Sequence, residues 1–186
     1  MKKIVYALTS LALVVTGNTC AASPQDQSLT LNITGQITGK SQPTAAACAV
    51  VPDNSGDVLL YTADESTMIN QGDSGTNMNK IGLHVYGVQN ISDCSDIIQE
   101  GRIALKFIGQ QDNAEGSVLA NTGTATGVGI GLYDYNSRSP IAINTGTLAI
   151  DKNTTTWLGL QSVKLSGQEA KMGSMKGALT VEIERL

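Results

Sequence analysis

The 186-residue chain carries 12 basic and 16 acidic residues, a formal net charge of −4, and 41% hydrophobic residues. An acidic balance with no run of basic residues excludes nucleic acid or an anionic membrane as a charge-driven partner. With one Trp, one Phe and five Tyr in the whole chain, the core must be built mainly from Ile, Leu, Val and Ala.

At the start, Lys2 and Lys3 precede an apolar run from Ile4 to Val15, which gives way to Gly17, Asn18 and Thr19 and then to Ala21, Ala22 and Ser23. This is the layout of a secretory signal peptide. The run is shorter than the roughly 20 residues that cross a bilayer. Small residues at Cys20 and Ala22 set the expected cut after Ala22. The alternative is a lipid anchor on Cys20, but Gly17, Asn18 and Thr19 lack the Leu that commonly precedes one. Removing residues 1–22 leaves 164 (186 minus 22), enough for one domain, and takes the formal charge to −6 because Lys2 and Lys3 are lost. It also leaves two cysteines, Cys48 and Cys94, and an even remainder in an exported chain reads as a disulfide. The closed loop spans 46 residues (94 minus 48), which corresponds to about 4 kcal/mol of stabilisation by loss of unfolded-chain entropy.

Ser23 to Ser28 is polar, and a mobile segment is expected there. Apolar residues then recur at period two, the mark of strands buried on one face. The runs are Leu29, Leu31, Ile33 and Ile37 with Gly35 in phase; Ile81, Leu83 and Val85; Ile103, Leu105 and Phe107; Val128, Ile130 and Leu132; and Leu179, Val181 and Ile183. Clusters of Gly, Asn, Asp, Ser and Thr at 53–57, 70–79 and 110–116 separate them and suit turns. Short strands between such turns predict an all-β antiparallel sandwich. No internal repeat or linker divides it.

Few residues suggest chemistry. Gly127 to Gly131 alternates glycine as a phosphate loop does, but no helix pattern follows, so a strand with small residues on one face is expected. His84 is the only histidine, has no metal-ligand partner at helical or turn spacing, and is read as a solvent-facing strand residue. Asp53, Asp57, Asp73 and Asp134 are read as turn residues, since EF-hand spacing is absent. Asn32, Asn90 and Asn153 open glycosylation sequons, which would matter in a eukaryotic secretory protein. There is no nucleophile elbow, and only His84 could serve a triad, so neither an enzyme nor a cofactor is expected.

Four stretches resemble the type 1-like fimbrial subunits of the chaperone-usher pathway. They are Leu31-Asn-Ile-Thr-Gly-Gln-Ile-Thr38 followed by Ala46-Ala-Cys-Ala-Val50; Ile81 to Val88 leading to Cys94; Val118 to Gly123 followed by Ala125 to Asp134; and the C-terminus, with Gly173 fourteenth from the end (186 minus 173, plus 1) before Leu179, Val181 and Ile183. The chain departs from the family pattern at Arg185, commonly Tyr, and at Ser92-Asp93 before the second cysteine.

The resemblance implies an incomplete immunoglobulin-like β-sandwich completed by a donor strand from a neighbouring subunit. It divides the chain into a signal peptide (1–22), a donor-strand extension (23–38) and a pilin domain (39–186). Leu29, Leu31, Ile33, Gly35 and Ile37 would form the donor strand. Gly173, Leu179, Val181 and Ile183 would border the acceptor groove and meet a periplasmic chaperone. The implied partners are that chaperone, an outer-membrane usher and neighbouring subunits. The implied location is an extracellular fimbrium reached through the periplasm, with cell adhesion as its role. A subunit with its own host-ligand face is the alternative, and an exported monomeric sandwich a third.

Overall fold

A computed structural model describes residues 29–30, 47–53, 56–61, 63–88 and 94–186. The strands are β1 (Leu29–Thr30), β2 (Cys48–Pro52), β3 (Asp57–Val58), β4 (Ile69–Asn70), β5 (Asn79–Gly87), β6 (Ile103–Gly109), β7 (Leu119–Ala120), β8 (Val128–Asp134), β9 (Pro140–Ile141), β10 (Thr147–Ala149), β11 (Thr155–Lys164) and β12 (Leu179–Arg185), with one short helix, α1 (Ser95–Gln99), between β5 and β6. Four of the five period-two runs become β5, β6, β8 and β12. Of the first run only Leu29 is described; Leu31, Ile33, Gly35 and Ile37 lie outside the described residues, as does the signal segment 1–22.

One sheet has the order β2-β5-β11-β8-β7, with β4 added parallel to β11 and β9 antiparallel to β8; the other has the order β10-β6-β12. The sheets face each other across a single apolar layer. Ile81, Leu83, Ile130, Leu132, Leu158 and Leu160 of the first pack with Leu105, Phe107, Leu179 and Val181 of the second. These are the inward positions of the alternating runs, because successive strand residues point to opposite faces. Their burial stabilises the fold by about 1.5–3 kcal/mol for each large side chain, an upper figure because the unfolded chain already hides some surface.

Part of the outer face of the larger sheet is also covered. Met78, Val118, Tyr133, Val163 and Leu165 form a second, smaller cluster there. Glycines make room for it: a Cβ on Gly159 would lie 2.6 Å from Met78 Sδ, and one on Gly131 would lie 2.6 Å from the Tyr133 hydroxyl. The glycine alternation from Gly127 to Gly131 is thus the outer face of β8. Burial and the nearby negative charge of Asp73 push the Tyr133 phenol up to about 12.

Cys48, at the start of β2, is disulfide-bonded to Cys94, just before α1, with the two Cα atoms 5.9 Å apart. The bridge fastens an edge strand of the larger sheet to the connection between the two layers. His84 lies half-buried on β5 with Nδ1 2.9 Å from the Thr155 hydroxyl. Asp73 and Asp134 act within turns: Asp73 accepts from the Asn70 backbone at 3.1 Å and Asp134 from the Asn136 backbone at 2.9 Å. Among the described residues no group of three or more His, Cys, Asp or Glu side chains could hold a metal ion.

Candidate functional site

β12 is the last strand of its sheet. It pairs antiparallel with β6 over its whole length, from Leu179 opposite Gly109 to Arg185 opposite Ile103. β10 occupies the far side of β6, while no strand among the described residues pairs with the other edge of β12. β2, an edge strand of the larger sheet, lies against β12. Among the described residues, the two sheets therefore end together on one flank, with β6 as the one strand that pairs with β12.

The expected acceptor residues occupy distinct places on this flank. Leu179 and Val181 point inward and are 1% and 0% exposed, already sealed in the core. Ile183 continues their phase but is only half-buried against the core. Gly173 lies before β12, where a Cβ would sit 2.3 Å from Ala125 N and 2.5 Å from Thr124 C. Backbone bonds hold the two segments together: Ala125 N–H donates to Ser174 O at 3.0 Å and Thr122 N–H to Lys176 O at 2.9 Å. Asn121 reinforces them, its Oδ1 accepting from Lys176 N–H at 2.8 Å and from Gly123 N–H at 2.9 Å. The absence of a side chain at Gly173 permits this approach.

Beside Gly173 opens a cavity of about 210 Å³, walled by Met68, Ala125, Val128, Ala170 and Met175, with Met172 at its margin. Met172 is 96% exposed. Three of the five methionines in the chain thus gather at one cavity, from positions far apart in sequence. Their flexible thioethers adapt to more than one occupant shape. Sequence reading missed this cavity, and the clustering of Met172 and Met175 around Gly173 was the only local signal for it.

The chain preceding the cavity wall carries its own apolar edge. Val58 and Leu60 are buried, whereas Leu59 and Tyr61 are 60% and 55% exposed. The Asn79 side chain substitutes for a strand partner there, donating to Leu59 O at 2.7 Å and accepting from Tyr61 N–H at 2.9 Å. β1 pairs antiparallel with β3, Leu29 opposite Val58 and Thr30 opposite Asp57. The start of the donor run therefore lies along its own chain for two residues.

No protein-family model matches the chain. Long polar fimbria protein A of Salmonella typhimurium is 32% identical over 167 residues, covering 88% of this chain and 81% of the relative. The probable major fimbrial subunit LpfA of Escherichia coli O157:H7 is 30% identical over 154 residues, covering 81% and 77%. The chain belongs to the fimbrial subunits of the chaperone-usher type. Its fold agrees with a solved relative of low identity, the P pilus rod subunit PapA, at a TM-score of 0.57 and 12% identity over 81% of this chain and all of that one. This is the immunoglobulin-like sandwich lacking a strand. As a fimbrial subunit the protein is structural rather than enzymatic, and it associates with other subunits in a surface fimbrium.

Proposed function

We infer that this fimbrial subunit polymerises by strand exchange: residues 23–38 of one copy add to the outer edge of β12 in the next. The observation that carries this reading is that, among the described residues, β6 alone pairs with β12, in a sheet whose inward face is built from Leu105, Phe107, Leu179 and Val181. An unpaired edge over a core is an aggregation hazard unless it is covered. Strand addition supplies the cover, as in the chaperone and pilin pairs for which donor-strand complementation is known. Before assembly a periplasmic chaperone covers the same edge, after removal of residues 1–22 on export. An outer-membrane usher is the place of exchange, and the finished fibre supports cell adhesion.

The donor suits the edge it would meet. Leu29, Leu31, Ile33 and Ile37 share one face of an extended segment, and Gly35 leaves a gap in that face. Each apolar side chain that becomes buried contributes about 1.5–3 kcal/mol, and the backbone of the donor extends the ladder beyond β12. If the donor runs antiparallel to β12, as β6 does, Ile37 falls toward the Leu179 end, on the side of the cavity beside Gly173. The two-residue pairing of β1 with β3 opens first.

The deciding experiment appends residues 24–38 to the C-terminus through a short linker and compares thermal unfolding with that of the mature chain. The expected result is a stable monomer that no longer polymerises. An unchanged midpoint and unchanged polymerisation would show that the sandwich is already complete.

A further inference from the structure

Met172 stands apart from the other described methionines. It is 96% exposed, whereas Met175 and Met78 are 4% and 8% exposed and Met68 is half-buried. The backbone on either side of it is tied down: Lys171 N–H donates to Thr126 O at 2.9 Å, and Ala125 N–H donates to Ser174 O at 3.0 Å. Between these ties Gly173 lies too close to Ala125 to admit a Cβ. The Met172 thioether is therefore carried on a fixed stretch of chain at the margin of the cavity of about 210 Å³, within reach of dissolved reagents.

The inner wall of that cavity has little to offer a polar group. Ala125, Val128 and Ala170 bring no side-chain donor, and the charged lining residues, Glu65 and Lys171, are exposed at its rim. A change of polarity at Met172 would thus be felt by whatever apolar group docks beside it.

We propose that Met172 is a site of reversible sulfoxidation by peroxides, and that the modification weakens docking of the donor segment; this rests on the strand-exchange reading above. A sulfur lone pair attacks one peroxide oxygen, the S–O bond forms and the O–O bond breaks. The departing hydroxide takes the proton from the sulfur-bound oxygen and leaves as water. Sulfur loses two electrons and the peroxide gains them. A flexible apolar side chain becomes a polar one with an accepting oxygen. In the antiparallel arrangement Ile37 of the donor arrives at this end, and its aliphatic side chain would desolvate that oxygen without giving it a donor. The fold shields Met175 and Met78 and half-covers Met68, so Met172 reacts first.

The test treats purified mature protein with hydrogen peroxide, maps its methionines by peptide mass spectrometry, and measures binding of a labelled peptide of residues 24–38 by fluorescence anisotropy before and after treatment. The peptide contains neither methionine nor cysteine, so the oxidant acts on the protein. Met172 is oxidised ahead of Met68, Met78 and Met175, and affinity for the peptide falls about tenfold or more. Methionine sulfoxide reductase restores it. Met172→Leu binds the peptide as wild type does and keeps its affinity after peroxide, while Met172→Gln shows the loss without peroxide. Both variants change an exposed side chain, so the fold is retained. An unmodified Met172, unchanged affinity once Met172 is oxidised, or a loss that persists in Met172→Leu overturns the proposal. Failure of the untreated protein to bind the peptide overturns the strand-exchange reading and the proposal with it, and is told apart because it precedes any oxidant.

Discussion

Asp112 shows how a single side chain organises the loop between β6 and β7. Its Oδ1 accepts from the backbone of Ala114 at 2.8 Å and of Glu115 at 3.0 Å, and its Oδ2 accepts from Val118 N–H and Gln71 Nε2, each at 3.0 Å. Burial opposes the charge, but the converging donors outweigh it and hold the carboxyl below the usual carboxylate range. A lowered folded pKa stabilises the fold above the unfolded value of about 3.9 and ceases to do so as pH falls through the folded value. Asp112→Asn is therefore predicted to cost about 1–3 kcal/mol at neutral pH. In urea titrations the difference from wild type should shrink below about pH 4; a difference that stays constant into acid would assign the cost to shape rather than charge. Gly173→Ala belongs to the same scale. A methyl group 2.3 Å from Ala125 N cannot be accommodated without moving backbone, so a loss of about 1–3 kcal/mol is predicted, read from the urea midpoint.

Among the elements, β12 and β11 are opposites. Among the described strands β12 pairs with β6 alone, and along it only Ile183 of Leu179, Val181 and Ile183 remains partly open. Ile183→Asp puts a carboxylate at the site where a covering strand would pack, and loss of a co-purifying chaperone complex is predicted. Thr180→Asp, on the opposite face, should retain it. Recovery of a normal complex with Ile183→Asp would remove β12 from the chaperone contact. β11 lies between β5 and β8 and is buried on both faces over its second half, with Gly159, Gln161 and Val163 beneath the outer cluster and Leu158, Leu160 and Ser162 facing the core. That double burial explains why the longest strand carries no period-two signal, since alternation records one wet face and β11 has none there. β5, β6, β8 and β12 were legible because their inward residues are apolar at every second position.

For the molecule as a whole, the Cys48–Cys94 bridge acts on the unfolded chain more than on any contact in the folded one. Replacing both cysteines with Ser is predicted to lower stability by about 4 kcal/mol, measured by denaturant unfolding under oxidising conditions, where an unchanged midpoint would contradict the prediction. The cysteine pair was readable because only two remain after Cys20 is set aside. The cavity beside Gly173 was not, because its walls come from segments 63–68, 125–128 and 170–175, which only folding brings together. The alternation of apolar residues by itself determined which side of β5, β6, β8 and β12 faces inward, and hence that the protein is a β-sandwich. It could not determine which strand ends a sheet. β6 and β12 carry the same pattern, yet among the described strands β6 has two neighbours and β12 one. Alternation reports burial across the face of a sheet, whereas an open edge depends on partners in the plane of the sheet, and those are set by the chain path through space.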